Sequence, residues 1–204
     1  MDSQHWDERY SGDELVWTST ANQFLVAATD DLTVGRAVDL ACGEGRNSIW
    51  LAEQGWEVTG VDFSPVGLAK AERFANLRNV KVTWIESSVE DWVPPPGGFD
   101  LVALLYLQLA QPARAAALAV SCSSLAPGGT LLVVAHDQDN LTRGYAGPPN
   151  PDVLYEVRDV TAAAADAGLN VERAEQAVRV VDTDDGPREA IDTVVVLHRA
   201  KDGQ

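Results

Sequence analysis

The stretch Val38-Asp39-Leu40-Ala41-Cys42-Gly43-Glu44-Gly45-Arg46-Asn47, followed by Val58-Thr59-Gly60-Val61-Asp62, decides the fold. An apolar run closes around an acid, two glycines follow at Gly-x-Gly spacing, and a second apolar run ends in another acid. That order reads as strand, glycine loop, helix, strand. Units of this kind hold a nucleoside-containing cofactor at the carboxyl ends of their strands. Gly43 and Gly45 carry no Cβ, so the backbone turns sharply there and comes close to a ligand. The helix that starts near Arg46 presents unpaired N–H groups at its first turn.

A dinucleotide fingerprint needs a third glycine where this chain has Ser48. Asp39, four residues before Gly43, is also foreign to that fingerprint. An acid there suits a ligand with a cationic amino group, such as the methionine part of S-adenosylmethionine (SAM). Asp62, nineteen residues after Gly43, ends the second strand where a carboxylate accepts hydrogen bonds from two ribose hydroxyls. A lone Gly-x-Gly marks an ordinary tight turn as readily as a site. The two acids and the flanking apolar runs favour the site.

At these residues the chain resembles the class I SAM-dependent methyltransferases. The run from Cys42 through Val58, with Gly45-Arg46-Asn47 inside it, is similar to the tellurite-resistance and related small-molecule methyltransferases. The resemblance is specific over about 36–70 and generic to about 136. Phe99-Asp100-Leu101-Val102 resembles the family's fourth strand and Leu125 to Val134 its fifth. Beyond 136 the likeness to the tellurite enzymes is poor. The resemblance implies a three-layer Rossmann-like α/β fold, a seven-stranded mostly parallel sheet in the order 3-2-1-4-5-7-6, and an antiparallel last strand. It implies SAM as cofactor, held by Asp39, Ala41, Cys42, Gly43, Gly45, Asn47, Asp62, Phe63, Ser88, Val89, Glu90 and Leu105. One departure stands out: Ser88 occupies the place of the acid that often ends the third strand beside the adenine. Ser88, the Val89 backbone, Glu90 or Asp91 then remain to hold that base.

The chain has 204 residues, enough for one domain with a sizeable core. Its net charge of −16 argues against binding a phosphate backbone or an anionic membrane. The expected partner is a small molecule, without nucleic acid or membrane, in a monomer or homodimer. Residues 1–6 lack the cationic start and apolar core of a signal peptide, and the longest apolar runs, such as 101–107, are too short to span a bilayer. A cytoplasmic location follows by default. Cys42 and Cys122 are the only cysteines and fall on unrelated segments, which argues against a disulfide. Two cysteines and three histidines show no ligand spacing, so no metal is expected.

No repeat or linker divides the chain, which reads as a single domain over 1–204. Within it, 1–30 forms an N-terminal helical lid, 34–137 the cofactor-binding core, and 138–204 a substrate-side loop, helix and C-terminal hairpin. Strands are expected near 36–41, 57–61, 80–85, 99–104, 129–135, 170–180 and 190–198. Helices are expected near 18–28, 46–54, 65–75, 111–124 and 158–167. Ser64 and Pro65 suit a helix start, and Gly55 and Gly168 suit helix ends.

Methyl transfer from a sulfonium is an in-line displacement, so the acceptor's contacts must come from segments over the carboxyl ends of the strands. The N-terminal segment offers His5, Trp6, Tyr10 and Trp17, as a lid over the cofactor or as a pin that ties a helix to the core. Tyr106, with Gln108, lies just past the fourth strand. His136, just past the fifth, is placed to take a proton, with Asp137 or another carboxylate to orient it and Asn140 nearby. The catalytic set is thus His136, Asp137 and Tyr106. The Gly- and Pro-rich segment 141–151 reads as a loop over the same edge, and Tyr145 and Tyr155 become candidate substrate contacts. Arg46 suits an anionic substrate or the cofactor carboxylate. The substrate set is Trp6, Tyr10, Trp17, Arg46, Tyr106, Asn140 and Tyr145. Trp50, Trp56 and Trp84 read as packing.

The reading is a SAM-dependent methyltransferase acting on an O, S, N or chalcogen nucleophile of small size, with detoxification as the role by analogy. Its rivals are a catalytically silent SAM-binding or sensing module, and an NAD-dependent oxidoreductase with a degenerate fingerprint.

Overall fold

The computed structural model describes residues 3–16 and 18–201. Its sheet has seven strands: β1 (Arg36–Leu40), β2 (Glu57–Asp62), β3 (Val82–Glu86), β4 (Phe99–Leu105), β5 (Leu125–His136), β6 (Asn170–Val181) and β7 (Arg188–His198). They lie in the order β3-β2-β1-β4-β5-β7-β6, as the resemblance implied. Strands β3 to β5 pair in parallel around β1, whereas β7 runs antiparallel to both β5 and β6.

The central strands are apolar on both faces because helices cover both. Above one face, α2 (Gln23–Thr29) and α3 (Arg46–Glu53) bury Phe24, Leu25 and Leu51 against Ala37, Leu101 and Val134. Above the other, α5 (Ala113–Ser123) and α7 (Val157–Asp166) bury Leu118 and Val160 against Val38, Leu104 and Val195. The helix α4 (Pro65–Leu77) starts as expected: the Ser64 hydroxyl accepts the Gly67 N–H, and Pro65 sits in the first turn.

Three expectations change. The helix expected over 18–28 is only α2, because the Asn22 side chain accepts the N–H groups of Phe24 and Leu25 and starts the helix there. A further helix, α1 (Ser3–Tyr10), precedes it. The loop 141–151 is partly ordered, as α6 (Asn140–Arg143) and a 3-10 turn Pro151–Val153.

Two non-glycine residues leave the sheet with left-handed backbone: Ala41 (φ 58°) after β1 and Tyr106 (φ 58°) after β4. These strands are neighbours, and a left-handed residue costs about 1–2 kcal/mol. Strain therefore collects along the carboxyl edge, where functional sites store it.

Candidate active site

At the tips of β1 and β2 the glycine loop is tied down by acids. Asp62 accepts the Gly43 N–H on one carboxylate oxygen (2.7 Å) and the Ser64 N–H on the other (2.9 Å). Burial pushes its carboxyl up, against the pull of those two bonds. Asp39 is 1% exposed and accepts the Ser48 hydroxyl at 2.6 Å, which fixes the first turn of α3 to β1. Burial pushes the Asp39 carboxyl up to about 6, despite Ser48 and the Arg46 charge. Gly45 has φ 77°, and a Cβ there would meet the Trp84 ring at 2.6 Å and Ala71 at 2.8 Å. Trp84 is therefore packing beneath the loop, as expected.

The N-terminal segment lies over this loop. Tyr10 is buried, and its hydroxyl would stand 2.7 Å from any Cβ at Gly43. The Trp6 ring stacks on Tyr10 at 5.4 Å. What holds the segment is a buried ion pair absent from the sequence reading: Lys70 Nζ to Glu44 Oε1 at 2.8 Å, with side chains 6% and 2% exposed. Lys70 also donates to the Tyr10 and Glu14 carbonyls, and the Glu44 carboxylate accepts the Val16 N–H. Trp17 lies outside the described residues. The half-buried Phe63 follows β2 and Leu105 closes β4, both among the residues expected to hold the cofactor.

Past β4 and β5 a second cluster forms. Asp192, fully buried on β7, lies opposite His136 in the β5–β7 register. Its Oδ2 accepts from the Tyr106 hydroxyl and from Arg179 Nε, each at 2.8 Å. His136 Nδ1 lies 3.3 Å from Asp192 Oδ1, close enough to pair but not aligned as a hydrogen bond, and both atoms are buried with no other partner. The Tyr106 and His136 rings are 4.9 Å apart, and the Arg179 guanidinium is 5.6 Å from the Tyr106 ring. Burial and the Asp192 charge push the Tyr106 hydroxyl far up. Burial raises the Asp192 carboxyl, but His136, Arg179 and Tyr106 outweigh it and hold the group below its ordinary value.

Several expectations need correction. Asp137 does not orient His136. It is 1% exposed and accepts from Thr193 Oγ1 (2.6 Å), Gln176 Nε2 (2.8 Å) and the Asp139 N–H, so it ties β5 to the C-terminal hairpin. Asn140 accepts the Ile191 N–H at 2.7 Å and donates to the Ala146 carbonyl at 2.8 Å, which ties the 144–147 loop to β7. Tyr155 is core: it is 0% exposed, donates to the Leu107 carbonyl and lies under Arg114. Tyr145 stands 42% exposed on the outside of its loop. The Ser88 hydroxyl is engaged with Asp91, which leaves Val89 and Glu90 for the base. Asn47 uses its side-chain oxygen on the Asn22 N–H, so its structural task is to place α2. The sequence reading missed Asp192, Arg179, Glu44 and Lys70.

The strand order and the glycine edge are those of the class I methyltransferase fold. Residues 37–129 match the family described as "Methyltransferase domain", so the resemblance drawn from the glycine loop is borne out. The chain is 29% identical to the glycine N-methyltransferase of Oryctolagus cuniculus over 176 residues, which is 76% of this chain and 59% of that one. It is 36% identical to a ubiquinone biosynthesis O-methyltransferase of Xanthomonas campestris over 110 residues, covering 53% of this chain and 46% of that one. The chain thus spans less than two thirds of these relatives. Among solved structures, a protein described for the conversion of a disulfide bond into a thioacetal group during echinomycin biosynthesis superposes with a TM-score of 0.78 at 17% identity, covering 98% and 94% of the two chains. TehB from Haemophilus influenzae gives 0.72 at 15% identity, over 97% and 66%. The [4+2]-cyclase SpnF also gives 0.72, at 14% identity over 98% and 95%, so this fold alone does not fix a chemistry.

Proposed function

We propose that the chain transfers a methyl group from SAM to a small-molecule nucleophile. The observation that carries this reading is the glycine edge. Asp62 sits at the tip of β2 with one lone pair on each oxygen used by Gly43 and Ser64, and the second of each left to accept a ribose hydroxyl. Gly43 and Gly45 bring bare backbone to the same edge, Phe63 and Leu105 offer apolar walls, and Asp39 adds a buried acid beneath the loop. These residues fit an adenosyl group with a cationic tail. Bound there, the cofactor supplies an activated methyl group for in-line displacement. This chain's own task is to align the acceptor, exclude water and receive a proton where one is released.

The N-terminal segment acts as the cover on this reading, with Trp6 and Tyr10 over the glycine loop and the Glu44–Lys70 pair as its anchor. His136 serves as proton acceptor and Tyr106 as the wall beside the transferred group. Arg46, half-buried at the start of α3, is the substrate-side cation. The relatives named for N- and O-methylation favour nitrogen or oxygen acceptors over chalcogen oxyanions.

Calorimetric titration with SAM, S-adenosylhomocysteine and NAD tests the reading. Both adenosyl compounds should bind, and Asp62→Ala, which removes charge-assisted hydrogen bonds of about 1.5–3 kcal/mol each, should weaken them at least roughly tenfold. Binding of NAD in place of the adenosyl compounds overturns the reading. SAM binding with no transfer to any acceptor would leave a silent SAM-binding module.

A further inference from the structure

We propose that Asp192 is the positioning carboxylate of a His136 base, and that the methyl acceptor is therefore a weakly acidic hydroxyl of the phenol type. This rests on the methyl-transfer reading above and narrows it.

The geometry is that of an oriented imidazole. Asp192 faces Nδ1 at 3.3 Å from the strand paired with β5, which leaves Nε2 as the lone acceptor. Nε2 bonds to no described residue, and the ring is 16% exposed. The ring cannot swing away freely. Gly147 packs on it so closely that a Cβ would lie 3.1 Å from Cγ, and the backbone N–H of His136 donates to Gln108 Oε1 at 3.2 Å, which fixes the strand end that carries the ring. Asp192 cannot turn away either, because Arg179 and Tyr106 hold its other oxygen. A fully buried acid with two bonded donors and an imidazole nitrogen 3.3 Å away is a preorganised group, not a surface charge.

The surroundings choose among acceptors. Oxyanions and easily ionised thiols need no base, so an oriented histidine gives them little. Ammonium groups carry positive charge, and the cations at this end of the sheet are Arg179 on β6 and Arg46 on α3, both within electrostatic reach of Tyr106. A neutral hydroxyl meets neither objection. As the acceptor oxygen forms its bond to the methyl carbon, the carbon–sulfur bond breaks with its electron pair to sulfur. The hydroxyl proton passes to His136 Nε2, and Asp192 stabilises the imidazolium before the proton leaves to solvent.

The groups facing His136 are Asp192 from β7, Tyr106 from the end of β4, Arg179 from β6 through Asp192, and the uncharged Gly147 loop. Turnover should therefore fall on acidification, because the base must be neutral to accept the proton. The test uses the full chain with SAM and a fixed panel of 4-methylphenol, thiophenol, benzylamine and tellurite, reading S-adenosylhomocysteine release against pH. Expected is turnover with the phenol, an acidic limb in kcat, and a loss of about 100-fold or more in Asp192→Asn and in His136→Gln, with SAM affinity within about twofold of the parent. Imidazole added to His136→Ala should restore part of the rate. The inference is overturned if the parent protein binds SAM yet methylates only thiophenol, benzylamine or tellurite, or if the phenol rate lacks an acidic limb. In either case the methyl-transfer reading survives. Failure to bind SAM overturns both. The limb is read on the parent protein, so an Asp192→Asn chain that does not fold leaves the test intact.

Discussion

The two halves of the carboxyl edge are built differently. Over β1 and β2, the acids Asp39 and Asp62 sit on consecutive parallel strands, within one short strand–helix–strand unit. Over β4 and β5, the cluster draws on Tyr106, His136, Arg179 and Asp192, with Tyr106 and Asp192 separated by 86 positions. Both halves bury carboxylates, but to opposite effect. Asp39 has the Ser48 hydroxyl and a nearby Arg46 charge but no salt bridge among the described residues, and burial pushes it up. Asp192 is surrounded by donors and held down. The difference is one of partners and not of depth: burial favours the neutral acid, and only charged or hydrogen-bonding neighbours reverse that.

The largest test of this contrast is on the cofactor side. Glu44→Ala should leave Lys70 buried and uncompensated and cost about 3–5 kcal/mol in urea unfolding. A loss under about 1 kcal/mol would mean that the pair does not anchor the N-terminal segment. Next comes pH. The folded protein holds the Asp39 proton more tightly than the unfolded chain, whose value is 3.8 against about 6. For this group stability is fullest below about pH 4, falls as pH rises to about 6, and stays reduced above. Asp39→Asn should then gain on the order of 3 kcal/mol at pH 7 and nothing near pH 4. Asp192 runs the other way. Its contribution is present above its ordinary value and is lost as acid titrates it in the folded state, so Asp192→Asn should show no such gain at pH 7. If both variants shift with the same sign, the contrast between the halves fails.

A glycine pair gives a smaller effect. Gly45→Ala meets left-handed backbone and the Trp84 and Ala71 contacts, and should cost about 2–4 kcal/mol by thermal melting. Gly168→Ala has φ +67° but open space around it and should cost only about 1 kcal/mol. Smallest of all, Arg143→Ala breaks an exposed i,i+4 pair with Asp139 and should change stability by no more than about 0.5 kcal/mol.

These contrasts explain what was legible in the sequence. The glycine half is local, so spacing alone brings Asp39, Gly43 and Asp62 to one edge, and the family likeness supplied the strand order. The acceptor half depends on which antiparallel residue lands beside His136, and register is not written in the spacing. A signal did exist. Ala190-Ile191-Asp192-Thr193-Val194 sets two polar residues inside an otherwise apolar strand, which demands buried partners. Asp137 was misread because adjacency to His136 in sequence puts it on the opposite side of the strand, where Thr193 and Gln176 claim it. Glu44 was given no role, since nothing in the spacing shows that the residue between the two glycines meets a cation twenty-six positions on. Lys70 sat unnoticed among the alanines of α4, because a long cationic side chain on a helix is usually solvated.

The antiparallel course of β7 also sets an order of assembly. During vectorial synthesis β1 to β5 emerge first, and they carry the glycine half. Asp192 follows the other six strands in the chain, and β7 must enter between β5 and β6 to bring it to His136. A nascent or prematurely terminated chain that stops before Arg188 would expose the long β5 edge and possess one half of the site without the other. The cluster around His136 therefore assembles only once β7 is seated between β5 and β6.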